Sequence, residues 1–225
     1  MNAKNHLTPD LAPTDFLDYR SAEVQDFIER WAPAAVGTDT ERAVALYYAV
    51  RDTVRYEVYG ADFSRSGLRA SRVLRARSGL CIHKSVLYAA ALRAIAVPSR
   101  LVFTDVRNHL ASDRLRALVG GDVFRYHCLT SVYLNGRWVK ATPVFPARLC
   151  KLYHIAPLEF DGITDSLHHP FDLQGRRHLE FLYTHGEFAD LPYDLVVNGL
   201  RTAHPRLFGD PDHLIDGSLV TEARP

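Results

Sequence analysis

Two side chains have the types and settings to carry out covalent chemistry, Cys81 and His127. Cys81 follows Ser78-Gly79-Leu80 and opens a run dense in Ala, Leu and Val, which places it in the first turn of a buried helix. There the unpaired backbone N–H groups and the helix macrodipole favour a thiolate, so the position predicts a lowered thiol pKa. The same N–H groups can hold the oxyanion of a tetrahedral intermediate formed on the sulfur. A thiol nucleophile needs a proton acceptor, and His127 opens a strand whose hairpin partner ends at Thr142-Pro143. A helix start packed against the ends of those strands would bring sulfur and imidazole together. The competing reading is a small buried cysteine and a structural histidine.

The elements that must position these groups follow from periodicity and turn chemistry. Residues 1–18 carry Pro9 and Pro13 and read as an extended or loosely docked leader. Ser21 is placed to cap a helix with Val24, Phe27, Ile28 and Trp31 on one face, ended by Pro33. A second helix starts at Thr38 or Asp39 and runs to Val54. Tyr56–Tyr59 reads as a short strand or turn, and Ser71 as the cap of a short helical turn. The helix after Cys81 stops at Pro98, and Leu101-Val102-Phe103 reads as a strand. The Arg-rich stretch Asp105–Asp122 is predicted as loop around a short helix at Leu115–Val119. His127–Leu134 and Arg137–Thr142 form a hairpin about Asn135-Gly136, with Trp138 expected in the core beneath it. Helices are expected near Arg177–Thr184 and Asp194–Leu200, and the last twenty residues read as a tail.

Length and composition set the outer bounds. The 225 residues can bury a substantial core, and 47% hydrophobic with 24% charged residues is ordinary for a globular protein. Twenty-seven basic and 26 acidic side chains leave a formal charge of +1. That balance gives no reason to expect a nucleic-acid or anionic-membrane partner. No stretch approaches the roughly 18 apolar residues of a spanning helix, and Met1–Asp15 lacks the apolar run of a signal peptide. Three cysteines, Cys81, Cys128 and Cys150, are an odd number in a chain too long to need staples. The expected setting is a reducing cytoplasm. Neither Cys81 with His83 nor His127 with Cys128 has zinc-ligand spacing, so no metal is assigned.

Three segments carry a family resemblance. The approach Ala70 to Cys81, the helix exit and strand Leu92-Arg93-Ala94-Ile95-Ala96-Val97-Pro98-Ser99-Arg100-Leu101-Val102, and the hairpin His127-Cys128-Leu129-Thr130-Ser131-Val132-Tyr133-Leu134-Asn135-Gly136-Arg137-Trp138-Val139 occur in this order. Together they resemble the transglutaminase-like superfamily over roughly residues 40 to 145. The resemblance implies an α+β, papain-related core with helices packed on an antiparallel sheet; the leader and the final 75 or so residues lie outside it, and the chain is expected to form one domain over 1–225. Its parts would be a helical leader (1–40), the core with Cys and His (41–146) and a C-terminal extension (147–225). It further implies a Cys81–His127 dyad acting on an amide or thioester carbonyl, with no cofactor. The substrate would be a small-molecule or peptide acyl donor, free or carrier-bound. Water as acceptor would make a hydrolase, an amine a transferase, a carbon nucleophile a cyclase.

One departure stands out. The family motif has an Asp before Pro where this chain has Thr142-Pro143. Thr142 is then the residue expected to orient His127, without the full charge that stabilises imidazolium. The alternatives are a carboxylate from Asp161 or Asp165, or a scaffold that binds without catalysing. Two further features have bland readings. His168-His169 reads as a solvated loop that could still line the cleft. Arg107, Arg114, Arg116 and Arg125 read as a charged surface, or else as a lid that contacts an acidic substrate.

Overall fold

A computed structural model describes residues 7–209 and 217–222. Its centre is helix α4 (Cys81–Ala94), in which every residue from Cys81 to Arg93 is buried. A helix buried on every face must be surrounded by other elements, and its few polar side chains must find partners there. Helices α1 (Ala22–Trp31), α2 (Asp39–Thr53) and α3 (Ala70–Ala76) pack around it. On its other side lies an antiparallel sheet of β3 (Ser99–Asn108), β4 (Val123–Leu134), β5 (Arg137–Ala141) and β6 (Leu179–Phe188), in the order β5-β4-β3-β6. A two-residue parallel pair, β1 (Arg55–Tyr56) with β2 (Ser78–Gly79), leads into α4. The short helices α5 (Asp113–Val119), α6 (Ala147–Leu152) and α8 (Leu219–Glu222), with α7 (Tyr193–Ala203), complete the described chain. The α+β class expected from the sequence is the one observed. Among the described residues no helix is long and apolar enough to cross a membrane.

Local chemistry explains the elements that matter for the site. Thr38 and Glu41 form a reciprocal capping box at the start of α2. Asn135 and Gly136 both take positive φ (51° and 81°), the conformation that closes a two-residue hairpin. At Gly79 an added Cβ would lie 2.5 Å from the His83 Cβ, so only glycine lets β2 run so close under α4.

Several expectations are corrected. Residues 7–18 are not loose: Asp10 accepts two hydrogen bonds of 2.9 Å from Arg100, and Phe16 and Leu17 are buried. Ser71 lies inside α3, whose cap position is Arg69, and its hydroxyl donates to Asp18 at 2.5 Å. Strand β3 extends to Asn108, so Asp105 is a strand residue and not a loop residue. Arg177–Thr184 is strand and not helix from Leu179 onward, because backbone pairing with β3 overrides a pattern that periodicity read as helical. Trp138 is half-buried on the sheet surface, with Arg100 over its ring at 4.3 Å. The supposed tail is partly docked: Leu219 is buried, and its carbonyl accepts from the Tyr153 hydroxyl at 2.9 Å.

Candidate active site

Two side-chain anchors hold the start of α4 in place. The buried Lys84 amine donates to the carbonyls of Arg51 and Val54, capping the end of α2, at 2.8 and 2.5 Å. The Ser85 hydroxyl donates to the Cys128 carbonyl at 3.0 Å, and Thr130 donates back to the Ser85 carbonyl at 3.3 Å. The first turn of α4 is thereby fastened to β4 beside His127. The backbone amides of Cys128, Ile82 and Cys81 each favour the Cys81 thiolate. Cys81 and His127 line one cavity.

Both groups are buried, and burial governs their ionisation. Desolvation raises the Cys81 thiol to about 11, against the pull of the three N–H groups. The lowering expected from the helix start is therefore overturned, because the sulfur is buried and the thiolate loses more hydration than the amides return. Desolvation lowers His127 to about 4, so at neutral pH the pair is thiol and neutral imidazole.

The orientation of His127 is set by a bulge. Thr104 faces His127 in the β3–β4 ladder, but Val106 faces Phe124, so Asp105 stands opposite two residues, Arg125 and Tyr126. Tyr126 takes φ 55° there. The Asp105 carboxylate holds this turn, accepting from the Tyr126 N–H at 3.1 Å, Arg125 at 2.6 Å and His185 at 2.7 Å. The Tyr126 ring stacks on His185 with centroids 4.2 Å apart. Asp105 is a residue that the sequence reading missed.

Thr142 is not brought to the imidazole. It is fully buried, its Oγ1 has no hydrogen-bond partner, and its carbonyl accepts from the Tyr47 hydroxyl at 3.2 Å. Asp161 and Asp165 are engaged elsewhere: Asp161 accepts from the N–H groups of Ile163 and Thr164, Asp165 from that of Lys140. The His127 Nε2 instead lies 2.8 Å from the Nε2 of His168. His168 is buried, not solvated, between the rings of Phe145 and Phe181. Burial, with the neighbouring histidines, pushes it well below the ordinary histidine range. What delivers it is the segment before it, which runs parallel along the free edge of β5. The Ser166 N–H donates to Lys140 and its Cα pairs with Ala141, which carries His168 past Thr142 to His127. His169 is exposed, as expected.

The arginines do not face the cavity as free cations. Arg107 and Arg116 pair with Asp122, and Arg114 lies over the Tyr59 ring. Helix α5 turns Leu115 and Val119 to the cavity instead.

The sequence matches the family model of the transglutaminase-like superfamily over residues 30–143, about half of the 225 residues. The chain belongs to the transglutaminase-like superfamily. No curated protein matches it. Among solved structures it overlaps a proposed cysteine protease from Cytophaga hutchinsonii (14% identity, TM-score 0.47, 83% of this chain and 55% of that one). It also overlaps an arylamine N-acetyltransferase from M. smegmatis (19% identity, TM-score 0.42, 73% and 65%). A proposed protease from Parabacteroides distasonis is more distant (14% identity, TM-score 0.38, 61% and 25%). The chain thus spans about half of the first of these structures and a quarter of the last.

Proposed function

We propose that this chain transfers acyl groups through Cys81, with His127 as proton acceptor and donor and His168 as the positioning residue for His127. The observation that carries the reading is the shared cavity, into which α4 brings a thiol under three N–H groups and β4 brings a neutral imidazole. If the His127 Nε2–H donates to the His168 Nε2, the His127 Nδ1 is left unprotonated and free to take the thiol proton. Sulfur then adds to an amide or thioester carbonyl, and the N–H groups of Ile82 and Cys128 suit the resulting oxyanion. His127 returns the proton to the leaving amine or thiol, giving an acyl-enzyme. The acceptor, whether water, amine or carbon nucleophile, repeats the steps in reverse.

A neutral histidine partner does part of what a carboxylate does. It fixes the tautomer and accepts from imidazolium, but it adds no negative charge to hold it. With a thiol near 11 and an imidazole near 4, proton transfer ahead of substrate is unfavourable. Transfer therefore accompanies carbonyl addition. The resting thiol should alkylate slowly at neutral pH and faster as the pH rises. Replacement by alanine tests the nucleophile: Cys81→Ala should abolish turnover while costing only about 1 kcal/mol of stability. Turnover surviving in that variant assigns the nucleophile elsewhere.

A further inference from the structure

The cavity that opens on Cys81 has a volume of about 230 Å³ and is walled in part by a second hydrophobic cluster beside the main core around α4. Ala111, Leu115, Val119, Leu149 and Leu219 belong to this wall, while Cys81 belongs to the main core. Among the described residues no lysine or carboxylate lines the cavity. The two arginines that do are occupied: Arg125 holds Asp105 at 2.6 Å, and Arg176 holds Asp172 at 2.7 Å. The hydroxyls of Ser112 and Tyr153 donate to Glu222 and to the Leu219 carbonyl. The His204 ring spans the Val119 carbonyl and the Arg125 N–H. The charged side chains and several of the polar ones in the wall are thus committed within the protein, and most of the remaining lining is apolar, so a polar substrate group loses its hydration there for few partners.

We propose that this cavity is an acyl pocket, which takes an apolar hydrocarbon chain whose carbonyl lies at Cys81. The inference rests on the reading of Cys81 as nucleophile for its orientation, and on the cavity wall for its chemistry. A glutamine side chain or polar peptide would leave buried amides unpaired in such a wall, whereas each methylene gains from leaving water. Helix α5 then serves as an apolar cover and not as an arginine lid. It is fastened by the Ser112–Glu222 bond, and Glu222 is also held by the Tyr59 hydroxyl.

The test uses neutral acyl thioesters of N-acetylcysteamine with butanoyl, hexanoyl and octanoyl chains. Titrated calorimetrically into the Cys81→Ala protein, they should tighten by about fifteenfold for each two carbons added. In the parent protein kcat/KM should rise along the same series. Filling the wall with Leu115→Trp should reverse the preference toward the shortest chain, with circular dichroism reporting that the variant folds. Affinity independent of chain length, or a glutamine peptide bound more tightly than the octanoyl thioester, would overturn the pocket. Chain-length-dependent binding with no acyl-enzyme in the parent keeps the pocket and removes the nucleophile. Acylation of Cys81 indifferent to chain length does the reverse.

Discussion

At the scale of single residues the central substitution is His168 for the expected partner of His127. Thr142 occupies the acid's place in the chain, yet its Oγ1 is unpaired while the His127 Nε2 meets the His168 Nε2 at 2.8 Å. Thr142→Val should therefore leave kcat unchanged and hold or raise the melting temperature, since an unsatisfied hydroxyl is replaced by a methyl. A tenfold loss of kcat in that variant would restore Thr142 to the mechanism. His168→Leu should lower kcat about 10- to 100-fold with KM little changed, and His168→Gln should recover part of the loss by offering an amide acceptor. Equal loss in both variants, or a loss confined to KM, would make His168 packing only. The helix start at Cys81 and the hairpin that carries His127 were legible because Gly-Leu before a helix and Asn-Gly between strands are local signals. His168 was not, since its approach depends on Ser166 pairing with Ala141, a long-range contact with no turn or period to announce it.

At the scale of elements, the sheet aims the histidine. The bulge at Asp105 has no sequence signature beyond a strand longer than Leu101–Phe103, and the stretch after it looked like polar loop. Strand β6 was missed for a related reason: Phe181, Leu182 and Tyr183 are all exposed, so no buried alternation marks it. The Asp105 carboxyl is strained upward by burial but held below its ordinary value on balance by His185, Arg125 and the Tyr126 N–H. A group lowered in the fold stabilises above its unfolded pKa, and that contribution is lost as pH falls through the folded one. Asp105→Asn should accordingly lower the melting temperature at pH 7 and narrow the gap to the parent as the pH approaches 3. It should also depress kcat, because Tyr126 loses its anchor next to His127. A gap that does not narrow on acidification would deny the carboxylate its role at the bulge.

At the scale of the whole molecule, helix and sheet are joined through a buried centre, and that centre is rich in histidine. His83, His127, His168, His178 and His204 are all buried, and burial lowers each of them, His127 and His178 to about 4. Unfolded histidines take up protons below about pH 6.5 while these do not, so stability falls with pH from there down to the folded values. Each such group contributes a slope of up to about 1.4 kcal/mol per pH unit. The urea midpoint should drop steeply between pH 7 and 5, and the acid limb of activity should follow unfolding and not a titration near 6.5. A flat midpoint over that range would contradict the buried, neutral histidines. The α+β architecture was readable as a whole because α4 and the His127 hairpin carry it. The cavity was not, since parts of its wall come from α5, α6 and α8, far apart in the chain. The Cys81 sulfur is where the acyl group would be held, and peptide mass spectrometry after a brief reaction with octanoyl thioester tests this directly. The prediction is an octanoyl adduct on the Cys81 peptide alone, absent in Cys81→Ala and depleted when an amine acceptor or longer incubation is supplied. Turnover with no adduct on Cys81, or an adduct carried by Cys128 or Cys150, would contradict it.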